Sequence, residues 1–230
     1  MTTMKSIPYS SNTQFPFKPK DPISACTHFI GFILAIIGLP ILLIHANQVS
    51  LTLQDQVGLT IFMLSMILLY GASSAYHAFN ISPIANLILK RIDHMSIFIL
   101  IAGTYTPICL SVLKEKTGLI LFIVIWSIAL SGIIFKFFWV TCPKYISSMM
   151  YIAMGWACVS VLPQLMIQLP FKSFIWLVVG GIFYTIGGFI YALKLNIIKP
   201  NHYGFGNHEL FHLFVMVGSF CHYMTMFSGI

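Results

Sequence analysis

LILFIVIWSIALSGIIF, the run from Leu119 to Phe135, contains no charged residue and no regular alternation of apolar with polar positions. A transmembrane barrel strand alternates over about ten residues, so the continuous run excludes a barrel. A helix needs about 20 apolar residues to cross a hydrocarbon layer of about 30 Å. With its flanks, 117–138 meets that length.

Working outward, runs of the same kind recur at 23–45, 57–78, 95–113, 145–167, 173–193 and 207–227. The expected fold is therefore all-α: a polytopic membrane protein with a seven-transmembrane helix bundle. Only Lys114, Glu115, Lys116 and Thr117 separate the third and fourth runs, which predicts a tight helical hairpin. Residues 1–22 carry Lys5, Lys18 and Lys20, four prolines and several Ser and Thr ahead of the first apolar run, and read as a disordered cytoplasmic tail. Residues 23–230 form the transmembrane domain. The apolar stretch Ile81 to Leu89, led by Ser82 and Pro83, reads as a short helix lying in the interface.

Composition agrees with this frame. Of 230 residues, 58% are hydrophobic and only 7% charged, against about 25% charged in an ordinary soluble domain. A soluble globular protein is excluded, and seven spans leave no room for an extramembrane domain. Cys26, Cys109, Cys142, Cys158 and Cys221 are scattered and odd in number, so no disulfide framework or CxxC site is read. The net charge of +7 rests almost entirely on lysines spread over loops, with no basic cluster beside stacking aromatics, which argues against a nucleic-acid partner. Membrane topology explains that charge. With the N-terminus cytoplasmic and the C-terminus outside, Lys5, Lys18, Lys20, Lys90, Arg91, Lys136, Lys144, Lys194 and Lys199 lie inside, and only Lys114, Lys116 and Lys172 lie outside.

Ionisable groups inside a membrane are costly and mark function. Span two ends in Ser73-Ser74-Ala75-Tyr76-His77, span three begins Arg91-Ile92-Asp93-His94, and span seven begins His208-Glu209-Leu210-Phe211-His212. Residues four apart on a helix differ by about 40° in azimuth and about 6 Å in rise, so His208 and His212 can address one ion. On the predicted topology all three groups reach the same depth, near the cytoplasmic leaflet. Three neutral imidazoles with one open position are the usual catalytic zinc arrangement, and His77, His208 and His212 supply that set. Asp93 is then placed to act as a base or to hold a ligand, and Ser73, one turn from His77, to bond a water or a substrate carbonyl.

The remaining histidines are weaker candidates. His28 lies at a suitable depth as a substitute ligand, and His94 points about 100° from Asp93, away from a ligand position. His222 lies about 21 Å along the helix from His208 and cannot reach the same ion. His45 and His202 read as loop or interface residues, and Gly187-Gly188 as packing material. The run from His208 to His212 also spells H-E-x-x-H, in which Glu209 would be the base of an intramembrane protease.

The segments Ser73 to Phe79 (SSAYHAF), Ile92 to Pro107 (IDHMSIFILIAGTYTP) and His208 to Tyr223 (HELFHLFVMVGSFCHY), with Thr27-His28 ahead of them, resemble the hemolysin III family, the bacterial branch of the progestin and adipoQ receptor superfamily. The resemblance implies a seven-helix bundle of the bacterial inner membrane with zinc on His77, His208 and His212 and with Ser73 and Asp93 close by. Likeness to the wider group containing alkaline ceramidases implies hydrolysis of a lipid amide, and the family carries associations with membrane-lipid homeostasis. Adiponectin receptors carry Gln where this chain has Glu209, which implies that Glu209 is not the base. The family name itself implies a second activity, pore formation and cytolysis. A third expectation is a lipid sensor or receptor stapled by a metal whose fourth ligand is His28 or Asp93.

Overall fold

Proline opens two of the helices at the functional end of the molecule, because its fixed φ suits the first helical position and its missing N–H costs nothing there. Pro22 starts α1 (Pro22–Gln48) and Pro83 starts α3 (Pro83–Pro107). Between them α2 (Leu53–Ala78) opens on a reciprocal cap in which Thr52 Oγ1 accepts from the Asp55 N–H and Asp55 Oδ2 accepts from the Thr52 N–H. The computed structural model describes residues 19–193 and 205–230. Most of the expected N-terminal tail, and Lys194, Lys199 and His202, lie outside the described residues.

Among the described residues the protein is all helical, with seven helical spans long and apolar enough to cross a membrane. The remaining ones are α4 (Glu115–Phe138), a fifth span made of α5 (Lys144–Gly155) and α6 (Leu162–Gln168), α7 (Phe171–Leu193) and α8 (Asn207–Gly229). Apolar side chains pack the interior, with Phe62, Phe98, Leu59 and Ile125 essentially inaccessible, while Ile33, Leu34, Ile37, Ile41 and Ile44 of α1 face outward. An outward apolar face is stable when the solvent is hydrocarbon rather than water.

One expectation changes. The stretch Ile81 to Leu89 is not a separate interfacial helix: Ser82 Oγ accepts from the Ala85 N–H at 3.2 Å, Pro83 follows, and the stretch forms the first turns of α3. The Ser-Pro pair is a cap followed by a first helical residue. The third span also runs on past Pro107 through a π-helical turn, Ile108–Val112, before the predicted hairpin into α4. Gly118 permits that hairpin, since a Cβ there would stand 2.1 Å from the Cys109 carbonyl oxygen.

The fifth span is interrupted by a 3-10 segment, Trp156–Val161, between α5 and α6. The Tyr105 hydroxyl donates to the Gly155 carbonyl at 2.6 Å and accepts from the Cys158 N–H at 2.8 Å. Non-helical backbone at membrane depth needs such partners. The start of α1, the end of α2 and the starts of α3 and α8 come together at one end of the bundle, which brings the three polar groups side by side.

Candidate metal centre

His77 stands one residue before the end of α2, and His208 and His212 occupy the first two turns of α8. Their ligand atoms lie within 4.8 Å of one another, with His77 and His212 buried and His208 half-buried. His77 Nε2 is 3.3 Å from His208 Nε2. Two nitrogens on a tetrahedral ion at bond lengths of 2.0–2.1 Å are separated by about 3.3 Å, so the spacing is that of a shared ion's ligands.

The outer ring nitrogens support the same reading. His77 Nδ1 lies 2.9 Å from Asp21 Oδ2; a carboxylate only accepts, so Nδ1 carries the hydrogen, and in the neutral ring Nε2 then keeps its lone pair. Thr27 Oγ1 donates to the Ser24 carbonyl at 3.0 Å and lies 3.5 Å from His212 Nδ1, which frees the other nitrogen of that ring too. His208 Nδ1 finds no hydrogen-bond partner among the described residues.

Other sequence candidates fall outside the converging set. His28 does not aim at the common point; its ring stacks on His212 at 3.6 Å between centroids, and both of its nitrogens lack partners. Asp93 is buried and pairs with His94 Nδ1 at 3.4 Å. Among the described residues no fourth protein donor joins the three imidazoles. Glu209 is taken up by structure: Oε1 accepts from Ser24 Oγ at 2.6 Å and Oε2 from the Gly206 N–H at 2.9 Å, tying the start of α8 to α1. Each oxygen of Glu209 thus has a partner within the protein.

A cavity of about 290 Å³ begins at this cluster. His28, Ser73, Asp93, His208 and His212 line it at one end, and Leu100, Tyr105, Ile108, Leu162 and Leu165 carry its wall along the bundle as far as His222. Ser73 and Asp93 thus share the cavity with two of the three histidines. His222 is far from the cluster, lying against Tyr184, and His45 packs on Phe227.

A family model described as Haemolysin-III related matches residues 18–223. The chain is 39% identical over 204 residues to the hemolysin-3 homolog of Bacillus subtilis (strain 168), covering 88% of this chain and 91% of that protein. It is 37% identical to the hemolysin-3 of Bacillus cereus, covering 88% of each. This chain belongs to the haemolysin-III family. A more distant similarity, 24% over 86% of this chain and 48% of the relative, links it to the adiponectin receptor protein of Drosophila melanogaster. Membership in the family and the seven apolar spans make it a multi-pass integral membrane protein, with the plasma membrane as its place in a bacterium.

Sequence reasoning missed Asp21 and Ser24. Asp21 falls inside the expected tail, and nothing local links it to a histidine in α2. Ser24, in the first turn of α1, and Thr27, which enters only through the family resemblance, carry no local signal of contact with α8. Their roles come from α1 lying against the start of α8.

Proposed function

We propose that this haemolysin-III protein holds one metal ion, zinc by donor preference, on His77, His208 and His212, and hydrolyses an amide or ester bond of a membrane lipid. The observation that carries this reading is a three-imidazole set with no fourth protein donor among the described residues, opening on a cavity that is also lined by a buried carboxylate. Structural zinc sites close with four protein ligands, whereas catalytic ones keep a position for water or substrate. Zinc in such a site supplies Lewis acidity and a water that ionises near neutral pH. Asp93 takes the proton of the attacking water at a carboxylate oxygen, and Ser73 orients the substrate carbonyl by hydrogen bonding. The apolar wall from Leu100 to Leu165 takes the acyl chain and keeps bulk water from the reacting bond. By the lysine distribution this end faces the cytoplasm, and hydrolysis there serves membrane-lipid homeostasis.

Metal content per chain of the detergent-purified protein tests the reading. About one zinc in the parent, and little in His77→Ala or His208→Ala, is the expected result. No metal in the freshly purified parent overturns it. The names of the two Bacillus relatives favour a second reading, a cytolytic pore. Dye release from liposomes that persists after chelation would support the pore and count against a metal-dependent activity.

A further inference from the structure

Asp21 occupies the N-cap position of α1, where an aspartate ordinarily accepts from the first free N–H groups of its own helix. Here its side chain makes no capping bond. Two of its polar contacts go instead to one residue of another helix: Oδ2 lies 2.9 Å from His77 Nδ1, and its backbone N–H donates to the His77 carbonyl at 2.9 Å. His77 is next to the last residue of α2, where the helix no longer restrains the chain on its C-terminal side. The two bonds therefore hold both the main chain and the ring.

The other two imidazoles lack such support. His212 has a hydroxyl at 3.5 Å, and His208 Nδ1 has no hydrogen-bond partner among the described residues. Of the three imidazoles, only His77 carries a carboxylate on its outer nitrogen among the described residues. The carboxylate is also reachable from outside, with 42% of its side chain exposed and the Lys20 ammonium 3.7 Å away. Lys20 in turn lies 3.9 Å over the ring of Tyr76, the neighbour of His77.

We propose that Asp21 is a positioning residue for the metal centre: from the segment ahead of the first span it fixes the tautomer and the angle of His77, so that Nε2 faces His208. This inference rests on the metal reading above. A carboxylate that accepts from a ligating imidazole raises the basicity of the donor nitrogen, and its loss weakens metal affinity by about ten- to a hundredfold.

The test measures the affinity of the full-length protein in detergent for Zn2+, by competition with a chromophoric chelator, and the visible spectrum of its Co2+ form. Asp21→Ala is expected to lose about ten- to a hundredfold in affinity while still binding one ion at saturation, with altered Co2+ bands. Asp21→Glu is expected to recover part of the loss, since it restores the acceptor. Lys20→Ala, which removes the contact on Tyr76 and the ammonium beside the Asp21 carboxylate but leaves the Asp21–His77 bonds, is expected to fall well short of the loss in Asp21→Ala and so controls for general loosening of the segment. Parent-like affinity and parent-like Co2+ bands in Asp21→Ala overturn the inference and leave the metal reading standing. Failure of the parent to bind any ion overturns both.

Discussion

Two polar clusters are buried at the same end of the bundle, and they solve the problem of burial differently. At the α4–α5 turn, Lys136 is completely inaccessible, and its ammonium donates to Ser147 Oγ at 2.5 Å and to Cys142 Sγ at 3.1 Å. Every partner comes from one short stretch of chain. In the histidine cluster the partners come from the segment at the start of α1, from α2 and from α8, and among the described residues the His28 nitrogens and His208 Nδ1 have no hydrogen bond. A local cluster of the first kind satisfies itself. The second, assembled from distant helices, brings together three imidazoles that could hold a metal ion.

Substitutions should separate the two clusters. The largest effect is expected at Asp93→Asn, which keeps the shape but removes the proton acceptor: zinc content should stay at the parent level while lipid hydrolysis falls by about 10²- to 10⁴-fold. Unchanged turnover would remove Asp93 from the chemistry. At the lysine cluster the order of effects is informative. Ser147→Ala leaves a buried ammonium short of an acceptor and should cost about 1–3 kcal/mol, whereas Lys136→Met removes the charge and keeps the volume, which should leave stability near the parent value. Thermal unfolding in detergent checks this, and a larger loss in Lys136→Met than in Ser147→Ala would mean that the ammonium has a role beyond its own solvation. Neither change should alter metal content.

The smallest effect is expected at Glu209→Gln. The amide oxygen can still accept from Ser24 or from the Gly206 N–H, so metal content and hydrolysis should match the parent, with a stability loss of about 1 kcal/mol. Loss of activity as complete as that of a histidine variant would restore the H-E-x-x-H reading. Together the three comparisons ask whether function resides in the cluster that spans helices or also in the local one.

Much of this was legible from sequence. Seven spans follow from run length, because hydrocarbon demands about 20 apolar residues whatever the fold. The His77, His208 and His212 set follows from helical spacing and from matching ends of successive spans. The Ile81 to Leu89 stretch was misread because apolar content is the same in an interfacial helix and in the first turns of a span, although Ser82 and Pro83 carried the capping signal. The break in the fifth span has Gly155 and Pro163 beside it, but a stable 3-10 segment there depends on the Tyr105 hydroxyl reaching across from α3.

By itself the sequence determined which segments cross the membrane and which imidazoles reach a common depth, since both depend on periodicity and length within one helix. Only the tertiary structure decided what each side chain does with its second hydrogen-bonding atom. Asp21 serves His77 rather than capping α1, Glu209 joins α8 to α1 rather than facing the ion position, and His28 stacks on His212 rather than joining the set. Those outcomes depend on how the helices are rotated against one another. Helix rotation in a bundle is set by packing between helices, and packing is not a property of any single span.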